Sequence, residues 1–587
     1  MAGTRSIAFV AHQVTLDHVP AEARVLPLEP TVSVDNKRRI ANRPEDFLRP
    51  EDDAHVEKAT ERWAADWWRG TDPDAFNWNG VNLAECFAFA LTFVVRDILK
   101  TSIIVDRIFE REHPEAVLCD VPASSGMFHP YPHLDGIGRL AASRSMATGL
   151  RFEPLYHASG VPKARSASAL RLAYLSVASR RGLSVLREER PLVAVGPYRE
   201  YYEPVAAAWR RSSESTVVVT PSRLPIRSNP RAGLFVVALD AFGDTSARRD
   251  LQGFLGRAMA TVDRLMPPPS LGEEAPELWE PLHADIRTRI RTELRDLAFA
   301  GVAFDDTLGR AAHLLLVETT SPLAKAMVRF AHLKRIPTTV VQHGILAGAF
   351  SYKQTEADRV AAWGAADADW FRRNLRSSAR VEPTGSPRYD GLRSGARTRL
   401  PAVVARLPPS TPLVMFASQP FVQDRAWRSP WDRHAALEIV LSSVMPRARF
   451  MLVIKWHPAE RPEPLPLDGR AATRIVTVQQ ADTFALIERS RIVLAVSSTV
   501  ALEAMYLRRP VVFIGPPDPD SPFHPPEQGG GCRAETAADL SSILDRLLGD
   551  PGHYNRVLDG QAAFLARFYA PLDGRAAERV VGLLRGG

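Results

Sequence analysis

One stretch, Phe450 to Gly515, constrains the fold more than any other. It opens on Phe450-Met-Leu-Val-Ile-Lys-Trp-His-Pro458, an apolar run that stops at a basic, imidazole-bearing turn. It closes on Ile492-Val-Leu-Ala-Val-Ser-Ser-Thr499, where a buried-type strand meets a hydroxyl-rich turn. A helix starts at once and leads to a second apolar strand, Val511-Val-Phe-Ile514. In an open parallel sheet such strand-to-helix turns lie at the carboxyl edge of the strands, where ligands bind. Small hydroxyl residues there cap free backbone N–H groups and, together with those groups, form an anion site. This part of the chain therefore reads as a nucleotide-phosphate-binding domain.

Strand-like and helix-like runs alternate almost throughout, which indicates a parallel α/β architecture. At 587 residues the chain exceeds one compact core. The Ser-, Gly- and Pro-bearing segment Gly391–Pro409 precedes a fresh apolar strand at Pro412–Ala417, and the domain boundary is placed there. The expected domains are 1–395 and 396–587. Long helices are expected near 82–112 and 553–583, and 122–165 reads as a long excursion with few periodic signals. The apolar Asn82–Ile108 segment carries Glu85, Arg96, Asp97, Lys100, Asp106 and Arg107, so it reads as a partly buried helix and not as a membrane span.

Composition narrows the function classes. Three cysteines, Cys86, Cys119 and Cys532, lie far apart with no zinc-type spacing. A disulfide framework is not expected, and a reducing compartment fits. The chain opens on the strand Ser6–His12 with no charged-then-apolar leader, so a cytoplasmic protein is expected. The net charge of +7 admits anionic partners. No finger spacing, RNA-recognition signature or basic–aromatic stripe accompanies it, and nucleic acid is not expected as a partner.

The His457-Pro458 turn followed by Ser497-Ser498-Thr499 resembles the sugar-donor half of GT-B glycosyltransferases, and is similar to the pattern of bacterial sialyltransferases and Kdo transferases. The run Leu502-Glu503-Ala504-Met505, followed by Arg509-Pro510-Val511-Val512, is similar to the wider GT-B donor helix. The resemblance covers about residues 310–550. It implies two Rossmann-like domains facing a cleft, with helical insertions in the first and the last helix crossing back to it. It also implies a nucleotide-sugar donor, CMP-linked in the nearest pattern, with the ribose hydroxyls held by Glu503.

Each candidate has a plain alternative. Lys455 and His457 would face one phosphate from the end of a strand; alternatively His457 merely ends the strand. Ser497, Ser498 and Thr499 would bind phosphate, or only cap a helix. Glu503, one helical turn on, would reach the ribose, or pair on the helix surface with Arg508 or Arg509. A second constellation follows two further apolar strands: Glu318-Thr319-Thr320-Ser321-Pro322 and Gln342-His343-Gly344. Ser321 or Thr320 before Pro322 is a helix start, and Gly344 permits a tight turn close to a ligand. The Gln-His-Gly turn recurs in GT-B enzymes of surface-polysaccharide synthesis. In Thr384-Gly-Ser-Pro-Arg388-Tyr-Asp390, Arg388 is a candidate donor contact.

Glycosyl transfer with inversion needs a group that takes the acceptor hydroxyl's proton. Candidates are Asp35, Asp120, Glu318 and His343; Asp120 and Glu318 end predicted strands. The Asp-x-Asp matches at 72, 367 and 518 occur in unrelated contexts, and no obligatory metal or other cofactor is expected. A basic helix over Lys163–Arg187 is either a solvated face or a peripheral contact with an anionic inner membrane. The resulting expectation is a GT-B glycosyltransferase acting on a surface-polysaccharide or lipid-linked glycan. The alternatives are a CDP-polyol phosphotransferase of teichoic-acid type, a non-hydrolysing UDP-sugar 2-epimerase, and an inactive glycan- or partner-binding scaffold.

Overall fold

The computed structural model describes residues 5–10, 13–28, 32–121, 135–156, 169–211, 214–221, 228–266, 279–346, 352–375, 377–394, 400–419, 430–444, 450–458, 460, 465, 473–517 and 524–586. The chain divides into two compact units. The first comprises Met1–Pro197, Glu214–Leu314 and Thr319–Thr338; the second comprises Tyr198–Ser213, Leu315–Glu318 and Thr339–Gly587. Residue 396, the expected boundary, falls inside the second unit, between two of its sets of strands.

The first unit begins with β1 (Ser6–Val10) and β2 (Arg24–Pro27), followed by a two-stranded hairpin of β3 (Asn77–Trp78) and β4 (Val81–Asn82). With β5 (Ala116–Val121) and β6 (Arg151–Tyr156), the first two strands form a parallel sheet of order β2-β1-β5-β6. A small core under it joins Ala8, Val10, Val25, Leu118 and Leu155. The next parallel set runs β9-β8-β7-β10, from β7 (Leu192–Val195), β8 (Thr216–Thr220), β9 (Leu234–Ala238) and β10 (His313–Leu316). Ser321 caps the helix Pro322–Leu333, its hydroxyl accepting the Ala324 N–H at 3.2 Å, as the Ser-Pro signal predicts. The helix Ala88–Glu112 fills the apolar segment that reads as a partly buried helix. Among the described residues no helix is long and apolar enough to cross a membrane.

The second unit holds the parallel strands β11 (Thr338–Val341), β12 (Arg359–Ala362) and β13 (Arg380–Pro383), then a six-stranded parallel sheet. That sheet consists of β14 (Leu413–Ala417), β15 (Met451–Lys455), β16 (Ile475–Val478), β17 (Ile492–Ala495), β18 (Val511–Ile514) and β19 (Cys532–Ala534), in the order β16-β15-β14-β17-β18-β19. Counted along the chain this is 3-2-1-4-5-6, the Rossmann order, whose reversal point lies between β14 and β17. The four central strands are apolar and buried almost throughout because helices cover both faces. Val414, Phe416, Leu452, Ile454, Trp456 and Leu494 share one core with the helices Pro430–Val444 and Ala537–Gly549.

Three sequence readings change. The excursion at 122–165 contains a helix, Asp135–Ala147, and β6. The strand β19 is additional. The helix expected over 553–583 is two helices, Pro551–Phe568 and Ala576–Arg585, separated by a turn with Pro571 and a left-handed Gly574 (φ 75°). The last helix packs against the helix Arg199–Arg210 and the 387–394 turn. Both Asp390 carboxylate oxygens accept its first N–H groups, from Ala576 at 2.9 Å and Ala577 at 2.7 Å. Of the basic segment, the described helix is Ala169–Glu188, with Arg180, Arg181 and Arg187 exposed; Lys163 and Arg165 lie outside the described residues.

Candidate functional site

The reversal point of the six-stranded sheet is where its geometry first becomes specific. Ser418 and Gln419 follow β14, and Ser497 and Ser498 follow β17. The Gln419 side-chain oxygen accepts the Ser497 N–H at 3.1 Å, across the gap between the two strand ends. Ser498 is in extended conformation and caps the helix Thr499–Tyr506, its hydroxyl accepting the Val500 N–H at 3.3 Å. The positive end of that helix dipole therefore lies at the sheet's carboxyl edge.

Glu503 is on this helix and is 1% exposed, so it is not the surface carboxylate that helix spacing also allowed. Its partner is neither Arg508 nor Arg509 but Arg388, with Nη2 3.1 Å from Oε1. The other oxygen, Oε2, is buried with no protein partner. Burial pushes the Glu503 pKa up to about 7, against the attraction of Arg388 and Lys455. The Arg388 guanidinium lies 5.3 Å from the centre of the Phe484 ring.

Lys455 ends β15 and is 7% exposed; desolvation lowers its pKa, opposed by Glu503 and Glu460 and reinforced by Arg388. His457 and Pro458 follow it and are exposed at the surface. Desolvation by the groups around the His457 ring, and then the Lys455 charge, hold its pKa below the ordinary 6.5, so the ring is neutral at pH 7. A residue that sequence reasoning missed anchors this turn. Glu460, 7% exposed, accepts the His457 N–H at 2.6 Å through Oε2 and the Ser418 hydroxyl at 2.7 Å through Oε1. The Gln479 amide donates to the carbonyls of His457 at 3.0 Å and Glu460 at 2.8 Å.

The Gln-His-Gly turn after β11 belongs to the same unit. A Cβ placed on Gly344 would lie 3.8 Å from the Thr499 hydroxyl, so this turn and the Ser-Ser-Thr turn approach each other. Gly344 does not adopt a left-handed conformation, and the tight-turn reason for a glycine falls away. Gln342 is completely buried and internally engaged. Its amide donates to the Gly344 carbonyl at 2.8 Å and to Asp367 at 3.2 Å, and its oxygen accepts the Trp363 N–H at 2.9 Å. It braces the turn. The buried Asp367, pushed up to about 7 by desolvation, belongs to that brace, which accounts for one of the Asp-x-Asp matches. Asp518 and Asp520 lie outside the described residues, and among those described no cluster suits a metal ion.

The His343 Nδ1 is 2.7 Å from the Val317 carbonyl, which makes it the protonated nitrogen and leaves Nε2 as the acceptor. Burial lowers its pKa, against the attraction of Glu318 and Glu200. Tyr201, absent from the sequence reading, donates to the His343 carbonyl at 2.7 Å and is also hydrogen-bonded to Arg388. Tyr201 and Arg388 thus link the His343 turn to Glu503. Asp120 sits in the first unit, where it accepts the Thr15 hydroxyl at 2.8 Å and is 6% exposed.

No protein-family model matches the sequence, and no curated protein matches it. Solved structures with similar folds include UDP-GlcNAc 2-epimerase from Neisseria meningitidis bound to UDP-GlcNAc, at 14% identity and TM-score 0.38 over 68% of this chain and 99% of the other. Sucrose-phosphate synthase from Thermosynechococcus elongatus matches at 15% identity and TM-score 0.38 over 68% and 99%. A spinosyn rhamnosyltransferase complexed with thymidine diphosphate matches at 16% identity and TM-score 0.37 over 67% and 99%. Superpositions this loose, between sequences this divergent, transfer no residue role.

Proposed function

We propose that this protein is a GT-B-type glycosyltransferase that binds a nucleotide-activated sugar at the carboxyl edge of the β14–β19 sheet. The observation that carries the reading is Glu503: a carboxylate 1% exposed, one oxygen paired with Arg388 and the other without a partner. A buried carboxylate oxygen without a donor is costly. A ribose diol supplies two O–H donors, and the adjoining helix N-terminus with Lys455 suits the phosphate joined to that ribose.

The chemistry follows from these placements. As the glycosidic bond breaks, negative charge grows on the leaving phosphate. The N–H groups of Ser498 and Thr499 at the helix start, Lys455 and the His457 ring stabilise that charge where it develops, with no metal required. The acceptor hydroxyl's proton passes to His343 Nε2, and Glu318 stabilises the resulting imidazolium. Glu318 itself is the other candidate base in this unit. Arg388 holds Glu503 in place, and Gln342 and Gly344 shape the turn that carries His343.

In its finer form the reading has a CMP-linked acidic sugar as donor. The acceptor is a lipid-linked glycan or a surface polysaccharide such as capsule or lipopolysaccharide. The protein would be cytoplasmic, with peripheral contact at the inner membrane through exposed arginines of the helix Ala169–Glu188. Incubation with a panel of nucleotide-sugars, with products resolved by mass spectrometry, tests it. Sugar transfer or donor hydrolysis with release of the nucleotide supports glycosyl transfer. Interconversion of donor epimers, transfer of a phosphopolyol, or binding without turnover would replace it with an epimerase, a phosphotransferase or a scaffold.

A further inference from the structure

We propose that Glu460 is the positioning residue of this site, its carboxylate locking the His457–Pro458 turn to the end of β14 so that the imidazole is presented beside Lys455. The inference rests on the donor-site reading above and adds to it the group that keeps the site in shape.

Pro458 has no N–H and restricts the residue before it to extended conformations. The His457 N–H is then the donor whose bonding fixes where the turn sits. It goes to Glu460 Oε2, while the Glu460 N–H returns to the His457 carbonyl at 3.0 Å. The loop is thus closed twice. The second carboxylate oxygen reaches sideways to Ser418, the first residue after β14, and so ties the turn after β15 to the strand beside the reversal point. Gln479, just beyond β16, holds the far side of the turn through two carbonyls. Two neighbouring strand ends therefore meet at one buried carboxylate, and a third holds the backbone of the same turn, although a glutamate two residues past a proline has no local reason to be buried.

Glu460 also acts through its charge. Lys455 faces Glu503, Glu460, Arg388 and His457, and of these only the two glutamates favour its ammonium form. A glutamine at 460 can keep the geometry: its oxygen accepts the His457 N–H, and its amide donates to the freely rotating Ser418 hydroxyl. An alanine keeps neither bond.

The test uses the full chain carrying Glu460→Ala or Glu460→Gln. Two quantities are read: residue-resolved amide hydrogen exchange in the free protein, and affinity for CMP, CDP, UDP and GDP. In Glu460→Ala the His457 amide should exchange about tenfold or more faster, the effect of one lost hydrogen bond. The amides of β15 should keep their rates, and nucleotide affinity should fall by a similar factor. Glu460→Gln should restore both to within about threefold at pH 7. It should also move the loss of nucleotide affinity at high pH to a lower pH, because Lys455 loses a nearby negative charge. The inference is overturned if His457 exchange is unchanged in Glu460→Ala, or if β15 loosens along with it, which would mark a general packing role. If wild-type protein binds none of the nucleotides while His457 exchange responds as stated, the donor reading fails and the clamp on the turn stands.

Discussion

Replacing Glu503 by glutamine should stabilise the protein at neutral and alkaline pH while weakening the site it belongs to. Glu503 is 1% exposed, so solvent screening gives little relief, and burial raises its pKa from the ordinary 4.5 to about 7. The folded chain therefore holds this proton more tightly than the unfolded one. The stability contributed by that proton is fully present below pH 4.5 and is lost as pH rises through about 7. The whole gap corresponds to about 3 kcal/mol, of which about 2.5 kcal/mol accrues between pH 5 and pH 8. Glutamine has the shape of the protonated acid and does not titrate. Other titrating groups, such as Asp367, cancel when variant and wild type are compared at the same pH. Amide protection in β17 and β18, measured as the ratio of Glu503→Gln to wild type, should rise about 50- to 100-fold from pH 5 to pH 8. In the same variant, loss of a charged acceptor should weaken nucleotide affinity about 10- to 100-fold. A protection ratio that is flat or falling with pH would refute the argument, because the buried carboxylate would then carry no cost.

Further expectations concern other parts of the site and fold. His457→Ala should remain folded and lose about 10²–10³ in turnover, more than it loses in nucleotide affinity, because its bond strengthens as the leaving group charges; near-wild-type turnover in a folded variant would reduce His457 to a strand-end residue. Activity should persist in EDTA, and complete loss restored by magnesium or manganese would contradict catalysis by fixed protein charges. Gly364→Ala should lower thermal stability by at least about 1–3 kcal/mol, because the added Cβ meets the backbone of Phe568 and Tyr569; an unchanged melting temperature would show that this packing gives way easily.

The strands and turns of the second unit were readable because their signals are local. Unbroken apolar runs marked β14, β15, β17 and β18, and Ser498 before a helix marked a cap. What escaped depends on partners remote in sequence. Glu503 is legible as a candidate ribose contact from helix spacing, but its partner Arg388 arrives from another segment and is not. Glu460 lies in a proline-rich stretch with no periodicity, and its role exists only once Ser418 and Gln479 are brought to adjacent strand ends. Tyr201 sits in a helix whose pattern predicts burial but not a hydroxyl aimed at the His343 carbonyl. The short strands β6 and β19 contain Pro154 and Arg533, which blur the apolar signal. The break before the last helix was legible in Pro571 and Gly574 and was overridden by the periodicity on either side.

The central claim is that the carboxyl edge of the β14–β19 sheet binds a nucleotide through Glu503 and Lys455. Calorimetric titration with CMP, CDP, UMP, UDP and GDP, in wild type and in Glu503→Ala and Lys455→Met, tests it most directly. Saturable binding to wild type, strongest for a cytidine nucleotide and weakened at least about tenfold in each variant, is the predicted result. Preference for a uridine nucleotide would overturn the CMP-sugar assignment alone. Binding that is absent in wild type, or indifferent to both substitutions, would contradict the claim.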